Sequence, residues 1–243
     1  MNNKQRVKKI RDYAELAQVS YFYFDLLKDS NGIPRKIYEL DSNGNKIKDE
    51  KYPRGYKEME VTLEHIVNKK YQGQEVLINL QQGDDIFTEM KNSAKEVFNF
   101  DKLNGEFGEI QTQRFFSRYD LLIHQPNTES GFSATLFQNK ETKEYTLAIR
   151  GTEPSDTGDL KTDARMALGY IPQGQYNDML RFYNQCKAKY PAMIESKSLN
   201  IVGHSLGGCL AQMLVLSLCD DIDEANINEI YTFNSHLESK KVV

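Results

Sequence analysis

Apolar and polar positions follow two different rhythms along this chain, and the second half carries the clearer one. From residue 131 onward, strand-like and helix-like runs take turns. Phe132-Ser133-Ala134-Thr135-Leu136-Phe137 and Tyr145-Thr146-Leu147-Ala148-Ile149-Arg150 read as strands, joined by the charged loop Asn139-Lys140-Glu141-Thr142-Lys143. Helical spacing follows over 158–168 and again over 175–189, where Met179, Leu180, Phe182, Tyr183 and Cys186 form one side and Pro191 ends the run. A strand over 199–202, a helix from 206 to about 218 and a strand over 230–233 complete the alternation. Strand–helix–strand order predicts parallel strands with right-handed crossovers, that is, an α/β fold.

The first half is patterned more weakly. Ile10, Ala14, Ala17, Tyr21 and Phe24 recur at helical spacing and predict a long amphipathic helix over about 4–27. Two copies of Asp-Ser-Asn-Gly, at 29–32 and 41–44, flank the strand candidate 35–40 and predict a small, exposed β-hairpin excursion ending near Tyr56. Short helices are expected over 61–70 and 85–98, with Ile86, Met90 and Val97 on one side of the latter, and a short apolar element over 75–80.

Chemistry enters at the change from strand to helix in Ile201-Val202-Gly203-His204-Ser205-Leu206-Gly207-Gly208. A serine between glycines at such a turn is the pattern of a nucleophile held in a strained backbone with its hydroxyl exposed, and Gly203 and Gly207 leave room for strand and helix to cross. The helix that starts after Ser205 offers unpaired N–H groups and a positive dipole end to a developing oxyanion. A serine in an ordinary glycine turn is the alternative. Upstream, Arg150-Gly151-Thr152 closes a strand and is followed by Asp159 and Asp163.

Taken together, these stretches resemble the class 3 (fungal-type) lipases, a branch of the α/β-hydrolases that includes bacterial phospholipase A-like enzymes. The resemblance covers Asp12-Tyr13-Ala14-Glu15-Leu16-Ala17 in the first helix and then residues 131–233. It implies an α/β-hydrolase-like, mostly parallel sheet with flanking helices. Residues 1–28 would form an N-terminal helix of the hydrolase domain, 29–125 a cap or insertion with the hairpin, and 126–243 the lipase-like core. It also implies roles: Ser205 as the nucleophile toward an ester carbonyl, Leu206 and Thr152 as the two halves of an oxyanion hole, and Asp163 as an acid that fixes the Thr152 loop. A turn-closing threonine and a surface acid beside Lys161 and Arg165 are the alternatives for Thr152 and Asp163. Met166, Leu168, Tyr170 and Ile171 fall where relatives carry a lid, and helix packing explains them equally well.

The resemblance also implies an acid and a histidine after the nucleophile, since a serine hydroxyl needs a base to take its proton. The match breaks after Asn234, and a polar tail follows. His236 comes too soon after the strand, His204 adjoins the serine and should point away, and His65 and His124 precede the core. The expectation is a lipase-like domain truncated at its C-terminal side, with a non-catalytic remnant or binding module as the alternative to an acyl-lipid esterase.

Composition narrows the field. A net charge of −4 and a pI near 5.7 argue against nucleic-acid binding. The basic start (Lys4, Arg6, Lys8, Lys9, Arg11) reads as a solvated helix face. No window is apolar enough to span a membrane and no secretory leader is evident, so a cytoplasmic setting is the default expectation, with signal-less secretion left open. Cys186, Cys209 and Cys219 read as reduced thiols. No metal or other cofactor is expected. The expected partner is an acyl-ester lipid, with peripheral contact to lipid surfaces.

Overall fold

The computed structural model describes residues 2–77, 102–151, 173–195, 197–218 and 227–235. They fall into two compact units, one built from residues 1–21 and 117–243, the other from 22–116.

The first unit is a layered α/β structure. Its helices are α1 (Asn3–Val19), the end of α3 (Glu109–Arg118), α4 (Gln173–Lys189) and α5 (Leu206–Leu218). Its strands are β3 (Tyr119–Gln125), β4 (Ala134–Asn139), β5 (Tyr145–Ile149), β6 (Leu199–His204) and β7 (Ile227–Phe233), paired in that spatial order. β5, β6 and β7 are parallel, while β4 runs against both β3 and β5. One strand of the described sheet therefore opposes four that share a direction, in line with the mostly parallel arrangement expected.

Side chains alternate across a strand, so each strand feeds two different layers. Leu136, Leu147, Ile149, Leu199 and Ile201 face Met179, Phe182 and Cys186 of α4 and Leu210 and Leu214 of α5, in a core closed to water. Burial raises the Cys186 thiol to about 12, which makes it a packing residue and a poor nucleophile. The other face receives α1. Tyr13 stacks on Tyr231 with ring centroids 4.0 Å apart and planes 15° from parallel, and Lys9 pairs with Glu229 of β7. Arg118 clamps the same helix by bonding both Asp12 and Glu15.

Helix α1 is shorter than its apolar spacing predicts, and it is rotated. It stops at Val19, where the Ser20 hydroxyl donates to the Ala17 carbonyl at 2.7 Å and competes with the helical ladder. A separate 3₁₀ turn covers Phe24–Leu27. The buried face is Tyr13, Leu16 and Ala17, so Ile10 points outward at 50% exposure.

In the second unit, β1 (Lys36–Tyr38) pairs with β2 (Glu58–Glu60), and α2 (Leu63–Val67) opens on Thr62, whose hydroxyl accepts from the His65 N–H. The two Asp-Ser-Asn-Gly copies fold alike. Asp29 accepts from the N–H groups of Asn31 and Ile33, Asp41 from those of Asn43 and Asn45, and Gly32 and Gly44 take φ of 78° and 83°. These local turns are those expected, but the strand between them pairs beyond the excursion, with 58–60. Phe22, Phe107 and Phe115 form an edge-to-face aromatic core. The helix expected over 85–98 and that over 158–168 lie outside the described residues.

Candidate active site

Strand β6 runs into helix α5 through a single residue, Ser205, whose φ of 54° lies in the left-handed region. A serine there needs strong support from its surroundings. One support is direct: the Ser205 N–H donates to the Phe233 carbonyl at the end of β7, at 2.8 Å. The Ser205 carbonyl in turn accepts from the N–H groups of Gly208 and Cys209, which starts the helix. The N–H groups of Leu206 and Gly207, in its first turn, have no partner within the helix by construction.

The flanking glycines are required by space alone. A Cβ on Gly203 would meet the Gly207 carbonyl oxygen at 2.3 Å, and one on Gly207 would meet the Ile149 carbonyl oxygen at 2.3 Å and the Arg150 carbonyl carbon at 2.7 Å. Helix and strands thus cross with backbone against backbone. Gly151, at the end of β5, is equally confined, because a Cβ there would sit 2.5 Å from the His204 carbonyl oxygen.

His204 turns away from the serine, toward the layer that holds α1. The Tyr21 hydroxyl lies 3.0 Å from His204 Nδ1 and accepts from the Gly151 N–H at 3.2 Å. The side-chain NH2 of Asn234 can only donate to Nε2, so the consistent placement has the imidazole proton on Nδ1, donating to the Tyr21 hydroxyl oxygen, which also accepts from Gly151. The side-chain amide of Asn234 stands 3.4 Å from Nε2. Partial burial lowers the His204 pKa, so the neutral ring is favoured. Gln212 on α5 holds the chain after β7 by donating to Ser235 at 3.0 Å.

Of the residues singled out from the sequence, Gly203, Ser205, Leu206 and Gly207 meet at this one turn, with Ser205 half-buried and Leu206 buried. Thr152, Asp163 and His236 lie outside the described residues; Gly151, the neighbour of Thr152, is held against the turn. Among the described residues no histidine nitrogen is hydrogen-bonded to Ser205, since His204 is engaged with Tyr21 and Asn234, and His124 Nδ1 bonds the Thr135 hydroxyl at 2.8 Å. No group of acidic, histidine or cysteine side chains that could hold a metal ion occurs among the described residues. No described helix is long and apolar enough to cross a membrane. Tyr21 and Asn234 escaped the sequence reading: Tyr21 looked like one more apolar helix position, and Asn234, with φ of 51°, marked only the point where the family pattern stopped.

A mixed sheet layered between helices, with a tight strand-to-helix turn at the end of β6, is the α/β architecture expected of a lipase-like domain. Residues 106–235 match the family model of the Tle-like phospholipase domain, and the chain belongs to this phospholipase-like family. None of the curated proteins compared with it matches. Among solved structures, it is similar to a lipase from Rhizopus microsporus var. chinensis, with 18% identity over 54% of this chain and 49% of that one, at a TM-score of 0.41. Lip2 lipase from Yarrowia lipolytica gives 21% identity over 52% and 49%, at 0.39. The native Rhizomucor miehei lipase propeptide complex gives 11% over 82% and 70%, at 0.29. The chain spans about half the length of the first two lipases.

Proposed function

We propose that this chain is the nucleophile-bearing part of a carboxylic-ester hydrolase acting on acyl lipids or phospholipids through an acyl-Ser205 intermediate. The observation that carries the reading is the φ of 54° at Ser205, between a buried parallel strand and a helix N-terminus. A non-glycine residue in that conformation costs about 1–2 kcal/mol, a strain that clusters at functional positions. In this reading Ser205 Oγ attacks the ester carbonyl carbon and its proton passes to a base. The carbonyl oxygen becomes an oxyanion held by the Leu206 N–H and by Thr152, with Asp163 steadying the Thr152 loop. Collapse expels the alcohol or lysolipid, and water then releases the fatty acid. Each oxyanion donor is worth about 10²–10³ in rate. Among the described residues no histidine is hydrogen-bonded to Ser205, and His204 is committed to Tyr21.

That commitment favours a second reading, in which the turn persists without a proton acceptor and the domain binds lipid or protein without turning ester over. Labelling by a fluorophosphonate, compared between the natural chain and Ser205→Ala, separates the two. Labelling that disappears in Ser205→Ala supports the hydrolase. A folded chain that neither labels nor cleaves short and long acyl esters supports the second reading.

A further inference from the structure

Helix α1 carries a surface that neither its packing nor the proposed chemistry uses. Its inner face, Lys9, Tyr13, Leu16 and Ala17, is spent on the sheet. Its outer face holds Val7 and Ile10, 67% and 50% exposed. At 3.6 residues per turn these two lie side by side. Lys4, Lys8 and Arg11 line one flank of the pair, one turn from Val7 or from each other, and Arg6 lines the opposite flank, one turn from Ile10; all four are exposed. The charge is concentrated here: residues 1–11 hold five of the 31 cations and none of the 35 acids, in a chain of net −4.

An apolar strip bordered on both sides by cations is the side-chain pattern of a helix lying in a bilayer interface. The apolar pair enters the acyl boundary while long basic side chains reach the headgroups. The strip is narrow, two residues wide, so the apolar term alone holds little, and anionic headgroups have to supply most of the attraction. An ordinary solvated helix face would need no apolar pair at its centre. We propose that the outer face of α1 is a docking surface for anionic phospholipid bilayers, bound by Lys4, Arg6, Lys8 and Arg11 and seated by Val7 and Ile10. The choice of lipid as occupant rests on the lipid-acting reading above; the contact itself does not require catalysis.

The test uses the full chain and ether-linked phospholipid vesicles, which contain no ester, so its result is independent of Ser205 labelling. The chain contains no tryptophan, so Ile10→Trp installs a single reporter on the strip and Ile33→Trp, at another exposed apolar position, serves as control. Expected are co-sedimentation with phosphatidylglycerol-containing vesicles but not with pure phosphatidylcholine, and a blue shift for Ile10→Trp only. Each cation is worth about five-fold in partitioning, so Lys4→Gln/Lys8→Gln/Arg11→Gln together should lower binding about a hundred-fold, and molar salt should do the same. Equal binding to neutral vesicles, no response to the triple substitution, or a shift at Ile33→Trp in place of Ile10→Trp would overturn the proposal. So would a concentration-dependent shift of Ile10→Trp without vesicles, which would assign the strip to a second copy of the chain.

Discussion

Replacing Gly207 by alanine tests the closeness of the strand–helix crossing with one methyl group. The added carbon would stand 2.3 Å from the Ile149 carbonyl oxygen and 2.7 Å from the Arg150 carbonyl carbon, where ordinary carbon–oxygen contacts lie near ~3.3 Å or more. It therefore penetrates the backbone of β5 by about 1 Å, and no side chain can swing aside to relieve it. Over-packing a well-filled site costs about 1–3 kcal/mol. With backbone on both sides, the upper end applies, about 3 kcal/mol against a total stability of about 5–15 kcal/mol. For a chain of this length each kcal/mol moves the melting temperature by about 2–4 °C, so Gly207→Ala should melt about 6–12 °C lower. Gly44→Ala is the comparison. Nothing lies within 4 Å of that position, but its φ is 83°, so its cost is conformational, about 1–2 kcal/mol. Differential scanning calorimetry on both variants decides the matter. If Gly207→Ala melts no lower than Gly44→Ala, the close crossing, and with it the steric reason for glycine beside Ser205, is refuted.

Two further outcomes follow from the site. Tyr21→Phe removes the acceptor of the Gly151 N–H and the partner of His204, and should cost about 1–3 kcal/mol in urea unfolding, the range for a buried donor left unpaired; a loss below about 0.5 kcal/mol would mean that Tyr21 does not hold the end of β5. Burial lowers the pKa of both His204 and His65, so the unfolded chain takes up protons first as pH falls. Stability should be complete above the ordinary histidine value of about 6.5 and decline as pH drops below it, and His204→Gln with His65→Gln should flatten that decline in denaturation midpoints measured across pH.

The parts of the fold legible in the sequence are those where local and tertiary demands coincide. β4, β5 and β6 are buried strands in a sheet, so their apolar runs carry the signal directly, and the glycines beside Ser205 announce a crossing that the backbone distances bear out. β3 went unread because Tyr119-Asp120-Leu121-Leu122-Ile123-His124-Gln125 is a half-exposed edge strand whose apolar residues do not alternate. The end of α1 was misjudged because Tyr21 and Phe24 continue a helical spacing that Ser20 has already interrupted. The phase of α1 differs for another reason: Ile10 counts as apolar in any pattern, yet it lies off the face of Lys9, Tyr13 and Leu16 that packs on the sheet. The role of Tyr21 could not be read at all, since its partners stand 130 and 183 positions away.

Those separations bear on how the molecule assembles. The unit that holds Ser205 is discontinuous, with α1 made at the start and the strands it covers completed only when residue 233 has been added, while the unit of residues 22–116 is contiguous. The contiguous unit can close on local contacts while the rest is still being made. Tyr13, Leu16 and Ala17 must wait in the open for β5, β6 and β7 before any of their surface is buried. Contacts that bridge such distances are slow to form, and the waiting surface is the part of a nascent chain most exposed to aggregation. The bond from Tyr21 to His204 spans 183 positions, and the Ser205 N–H finds its acceptor, the Phe233 carbonyl, only once β7 has paired with β6.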